Sequence, residues 1–136
     1  MEIKKILVYI IFAITITSYA QKTSSVIDEK PEIENNKLYK KNAHASYYHD
    51  KFNGRKTASG KKFDNSKLTA AHKKLPFGTK LKITNEINNK SVIVEVTDRG
   101  PFVKGREIDL TKKAFMDITS NKSGGVVYVK IEIIEN

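Results

Sequence analysis

The chain of 136 residues contains no cysteine. That absence excludes disulfide bonds, thiolate nucleophiles, cysteine-ligated zinc and attachment of a lipid at a cysteine. Histidine is scarce as well: His44, His49 and His72 are the three in the sequence, and their spacing matches no recognisable metal-ligand pattern. There is no acidic run of the calcium-loop type and no glycine loop that would cradle a phosphate. Metal ions and nucleotide cofactors are therefore not expected. Internal repeats and low-complexity tracts are missing too.

Apolar residues form one long run, at the N-terminus. Residues 1–20 place Lys4 and Lys5 before an apolar stretch from Ile6 to Ile16, followed by Ser18, Tyr19 and Ala20, the order of a secretion signal with its small-residue cleavage site. The stretch falls short of the ~20 residues that span a bilayer, so cleavage is expected, with no stable membrane insertion afterwards. The protein is then exported to the periplasm or cell envelope, without a lipid. Residues 21–42 are polar, mixed in charge and without a sustained period, which reads as a flexible tether. One folded domain is expected over 43–136, acting as a monomer.

The net charge is +10. In a cytosolic chain such an excess points to nucleic acid. Export redirects the same field to anionic envelope polymers, and nucleic acid is not an expected partner. A solvated lysine-rich surface accounts for the charge equally well.

Within the domain the dominant period is two. In 79–85 Leu81 and Ile83 face one way and Lys80, Lys82 and Thr84 the other, the pattern of a half-buried strand. Asn88 and Asn89 supply a turn, and S-V-I-V-E-V-T (91–97) returns as the hairpin partner. A further strand is predicted over 126–134 after Gly124 and Gly125, and a short helix over 112–118 with Thr111 as its N-cap. Several short strands and one small helix define an all-β domain that closes as a small barrel.

The alternation of Val92, Val94 and Val96, continued by parity, puts Asp98 on the same face, at the rim of an apolar row, with Arg99 beside it and a Gly100-Pro101 break behind it. Alone, this aspartate reads as a turn cap as readily as a reactive group. His72, between small apolar residues and a Leu-Pro-Phe-Gly turn, likewise reads as a hydrogen-bonded structural histidine or a catalytic one. The hydroxyl-rich T-A-S-G turn (57–60) lies just upstream.

Five blocks occur in order: A-S-Y-Y (45–48), G-R-K-T-A-S-G (54–60), L-T-A-A-H-K-K-L-P-F-G-T (68–79), V-T-D-R-G-P-F (96–102) and G-R-E-I-D-L-T (105–111). In content and spacing they resemble the rare lipoprotein A family over about residues 43–134. The resemblance implies a six-stranded double-psi β-barrel with one or two short helices. It also implies a lytic transglycosylase that cuts peptidoglycan glycan strands between N-acetylmuramic acid and N-acetylglucosamine and leaves 1,6-anhydro ends. The family's catalytic aspartate matches Asp98 and its active-site histidine matches His72. Tyr48, Thr57, Ser59 and Arg99 fall in blocks that line the family's sugar groove, while Ile108, Leu110 and Phe102 are assigned to packing. Lys61 stands where the family has an acidic residue, which either weakens Asp98 as an acid or grips an anionic part of the substrate. His49 stands where relatives carry glycine. A barrel similar to expansins, which binds wall polymer without cutting it, is the alternative reading.

Overall fold

The computed structural model describes residues 35–119 and 124–135. The expected signal segment and most of the tether lie outside the described residues. Six strands, β1 (Asn36–Tyr47), β2 (Thr69–His72), β3 (Lys80–Asn85), β4 (Ser91–Asp98), β5 (Ile108–Leu110) and β6 (Val126–Ile134), close into a barrel in the order β1-β5-β2-β4-β3-β6. The pairs β1/β5 and β2/β4 are parallel, and the remaining neighbours are antiparallel. Closure gives each strand a neighbour on both sides, which suits a chain with no cysteine, while residues 36–42 of β1 pair on one side only, with β6.

The hairpin forms where the alternation places it. Leu81 pairs with Val94 and Ile83 with Val92, all four buried, while Asn89 takes a left-handed φ of 59° at the turn. Helix α1 (Lys112–Ile118) also matches its expected range. Thr111 caps it by accepting from the Ala114 N–H at 3.4 Å, and Ala114, Phe115 and Ile118 turn one face into the barrel core, as the spacing of three and four residues requires. Phe115 packs its ring 4.7 Å from that of Tyr47.

The first strand corrects the boundary expected at residue 43. Residues 36–42 are barrel strand, paired with the end of β6 through Asn36–Ile134 and Leu38–Glu132. They carry no apolar alternation because six of the seven are exposed. Backbone pairing holds them in place with little help from burial.

Replacing Phe115, which is 1% exposed, by alanine is expected to remove about 3–5 kcal/mol of stability, read from urea unfolding. A loss below about 1 kcal/mol would mean that α1 does not plug the core.

Candidate active site

The register between β2 and β4 decides where Asp98 points. Thr69 pairs with Glu95 and Ala70 with Val96, but the next pair is Ala71 with Asp98, so β4 carries one extra residue, Thr97. A bulge of this kind flips the parity of everything after it. The valine face therefore ends at Val96, which joins the core with Ala70, and Asp98 lies on the opposite, outward face. Simple alternation put it on the valine side; the bulge overturns that placement.

Ala71 also pairs with Asp109 of β5, and Asp109 with Ser46 of β1. Directly paired residues share a face. A transverse row thus runs Ser46, Asp109, Ala71, Asp98 across four strands, turned away from the core. His72 follows Ala71 in β2 and pairs with Ile108, a core residue, so its ring belongs to the inward face.

Asp98 accepts three hydrogen bonds. The Tyr48 hydroxyl donates to Oδ2 at 2.6 Å, and the Ala58 and Arg99 N–H groups each donate to Oδ1 at 2.9 Å. Tyr48 is fixed by its ring, 4.6 Å from Phe63 and 5.7 Å from Phe52. Burial, then the hydrogen bond to Asp98, push its ionisation far above the ordinary phenol range, so it stays a neutral donor.

The T-A-S-G-K turn lies along β4. Ser59 N–H reaches the Thr97 carbonyl at 3.2 Å and Ala58 reaches Asp98, while Gly60 supplies the φ of 91° that closes the turn. The Thr57 hydroxyl donates to the Lys61 carbonyl at 2.7 Å and lies 2.9 Å from the Ser59 hydroxyl. Both expected sugar-groove hydroxyls are thus engaged in shaping the turn. The Lys61 ammonium sits 3.2 Å from Glu95 with its side chain 63% exposed, so its charge is partnered three residues up β4 from Asp98.

Arg99 turns the other way. Its guanidinium donates to the Leu75 carbonyl at 2.9 Å and the His72 carbonyl at 3.3 Å, and stacks 3.9 Å over the Phe77 ring. It pins the 72–77 loop, and among the described residues no ion pair joins it to Asp98.

The His72 ring is 1% exposed and committed on both sides. Nδ1 accepts from the N–H groups of Lys74 and Leu75, each at 3.1 Å, and Nε2 lies 3.2 Å from Glu107. The first contacts make Nδ1 an acceptor, so Nε2 carries the proton and donates to Glu107. Burial lowers the pKa of His72 despite the opposing pull of Glu107. Burial works against the Glu107 charge too, but hydrogen bonds from Lys40 and His72 hold its pKa below the ordinary value. Around this pair lies a cleft of about 510 Å³ lined by Tyr39, Lys40, His72, Lys73, Lys74 and Glu107. The structure therefore separates the two expected catalytic side chains: they share adjacent strands but opposite faces.

Ile108 and Leu110 are fully buried, as packing requires, but Phe102 is 85% exposed four residues after Asp98. Its assignment to packing is corrected: Gly100 and Pro101 are buried, and the Phe102 ring beyond them stands in solvent. Asp109 was not singled out from sequence. The signal was present in I-D-L, a polar residue flanked by two that face the core.

A closed six-stranded barrel in the order β1-β5-β2-β4-β3-β6 with two parallel strand pairs has the topology of the double-psi class. Within it, residues 40–131 match the family model described as lytic transglycolase, so the chain belongs to that family. It is similar to the endolytic peptidoglycan transglycosylase RlpA of Pasteurella multocida, 50% identical over 97 residues, covering 71% of this chain and 33% of the relative. The protein of that name from Rickettsia felis is 48% identical over 103 residues, covering 74% and 45%. The chain thus spans between a third and half of those relatives. Among solved structures, the Streptomyces papain inhibitor superposes with a TM-score of 0.55 at 22% identity, covering 72% of this chain and 97% of that one. A Clavibacter michiganensis expansin gives 0.55 at 17% identity, covering 69% and 50%. Both establish the fold alone.

The His72 shift fixes a pH dependence. A folded-state pKa below the unfolded ~6.5 makes the neutral ring the stabilised form. Its contribution is full above the unfolded value and is lost as pH falls below it. The urea midpoint should drop between pH 7.5 and 5.5, where Glu107 remains ionised, and the drop should shrink in His72→Asn. An equal drop in both proteins would place the dependence elsewhere.

Proposed function

We propose that the chain cleaves peptidoglycan glycan strands as a lytic transglycosylase, with Asp98 as the proton-transferring group. The observation that carries this reading is a carboxylate on an outward face, held by a neutral phenol and two backbone N–H groups. In the proposed step Asp98 gives a proton to the glycosidic oxygen as the bond from that oxygen to the anomeric carbon breaks. The C6 hydroxyl oxygen of the same sugar bonds to the anomeric carbon, and its proton returns to Asp98. The product is a 1,6-anhydro end, no water is consumed, and the acid is regenerated. The Tyr48 hydroxyl suits both stages, donating to the carboxylate and accepting from the acid when the proton sits on that oxygen.

His72 serves through the loop it shapes and through the carbonyl it offers Arg99, which positions the strand end bearing Asp98. The exposed rings of Phe102 and Phe77 offer apolar faces for sugar beside the site. The peptidoglycan substrate, export through the N-terminal segment, residence in the periplasm or envelope and action as a monomer belong to the same proposal. A barrel that binds wall polymer without cutting it is the second reading, favoured by the withdrawal of the His72 ring from Asp98.

Mass spectrometry of purified glycan strands after incubation with the protein separates the two. New 1,6-anhydro ends are expected, lost by about 10³-fold or more in Asp98→Asn. Reducing ends would mean hydrolysis by water, and binding without product would establish the second reading. Tyr48→Phe keeps the ring packing and removes the donor; kcat is expected to fall about 10- to 100-fold with KM little changed. An unchanged kcat would remove Tyr48 from the machinery.

A further inference from the structure

We infer that two adjoining loops, 73–77 and 99–106, dock on an anionic lipid surface, with Phe102 and Val103 entering the headgroup region and the neighbouring lysines meeting lipid phosphates. The inference does not depend on the glycan-cleaving reading of Asp98. Its basis is an apolar patch held in solvent. Phe102 is 85% exposed, Val103 52% and Phe77 42%, and Pro76 is exposed beside Phe77. One exposed apolar side chain is ordinary, but several on linked loops mark an interaction surface.

The charge around the patch has one sign. K-K-L-P-F (73–77) and R-G-P-F-V-K-G-R (99–106) hold five cationic residues and no carboxylate. Arg99 is committed to the Leu75 and His72 carbonyls and Arg106 to Asp109, but Lys73, Lys74 and Lys104 are exposed and, among the described residues, none of them is ion-paired. The flanking carboxylates are engaged elsewhere, Asp98 by Tyr48 and Glu107 by Lys40 and His72. The surface is also preformed. Arg99 ties one loop to the other and stacks on Phe77, Lys73 Nζ donates to the Arg106 carbonyl at 3.2 Å, and the Arg106 N–H donates to the Val103 carbonyl at 3.2 Å to close the tip. Docking therefore orders little that is not already ordered. A neutral sugar ring answers the aromatic rings alone; an anionic lipid answers the rings and the lysines together. A ring seated in lipid is not available to sugar, so lipid and glycan exclude each other at this face.

The sequence contains no tryptophan, so Phe102→Trp places a single reporter at the tip. Ile87→Trp places one at the other end of β4, on a residue 88% exposed beside Glu86. With the full chain, vesicles of phosphatidylcholine and about one-third phosphatidylglycerol, brominated on the acyl chains, are expected to shift the emission of Phe102→Trp to the blue and quench it, while Ile87→Trp stays unchanged. In the Phe102→Trp background, Lys74→Gln and Lys104→Gln should each weaken the apparent binding about fivefold. Lys90→Gln, an exposed lysine in the β3–β4 turn, should change it less than about twofold, and added salt should release the protein. All the substituted side chains are exposed, so the barrel is expected to fold in every variant. An unresponsive Phe102→Trp, equal responses from the two reporters, or equal losses from the three lysine variants would each overturn the inference. So would a response of the same strength on pure phosphatidylcholine. If glycan oligomers and not vesicles shift the Phe102→Trp emission, the patch belongs to sugar and lipid docking is overturned.

Discussion

One extra residue in β4 governs the arrangement of the site. With Thr97 inserted between the pairs Ala70–Val96 and Ala71–Asp98, the strand first fills the core with valines and then presents a carboxylate outward, within three residues. Without the insertion the carboxylate would enter an apolar interior, where an unpaired charge costs many kcal/mol. The bulge also leaves the Thr97 carbonyl available to Ser59, which docks the T-A-S-G-K turn against β4 and brings the Ala58 N–H to Asp98. The strand thus breaks where its side chains must change faces.

Two faces then take two roles. From the buried ring of His72 to the surface, His72, Glu107 and Lys40 form a chain of charge and hydrogen bond that locks the 72–77 loop, and Arg99 clamps the same loop from the side of Asp98. On the opposite face, Tyr48 and the row from Ser46 to Asp98 hold the carboxylate proposed to react, with Ser46, Ala71 and Asp109 nearly buried beneath it. Lys61 belongs to neither. Its pairing with Glu95 is solvent-exposed and worth about 0–1 kcal/mol, so it blunts the lysine charge near Asp98 and adds little to stability.

The parts of this fold that were legible in the sequence are those that bury one face. The hairpin of β3 and β4, strand β6 and the capped helix α1 follow from Leu81 and Ile83, Val92 and Val94, Val127, Val129 and Ile131, and Thr111 respectively. Strands β2 and β5 are only four and three residues long and almost wholly buried, so they show no alternation. The start of β1 is exposed on both faces and shows none either. Asp98 was legible as the residue that ends the alternation of β4 and Tyr48 through the family blocks, but their contact was not, because the bulge at Thr97 carries no glycine or proline to announce it. For the same reason His72 and Asp98 read as partners when adjacent strands hold them on opposite faces.

The central claim is that the outward row around Asp98, and not the inward cleft beside His72, receives the glycan. Backbone NMR during titration of the protein with peptide-free glycan oligomers tests it directly. The account predicts saturable shifts at the amides of Tyr48, Ala58, Asp98, Phe102 and Asp109, with little change at Lys73, Lys74 and Glu107. Shifts concentrated on the latter three would contradict it and make the cleft around His72 the binding site.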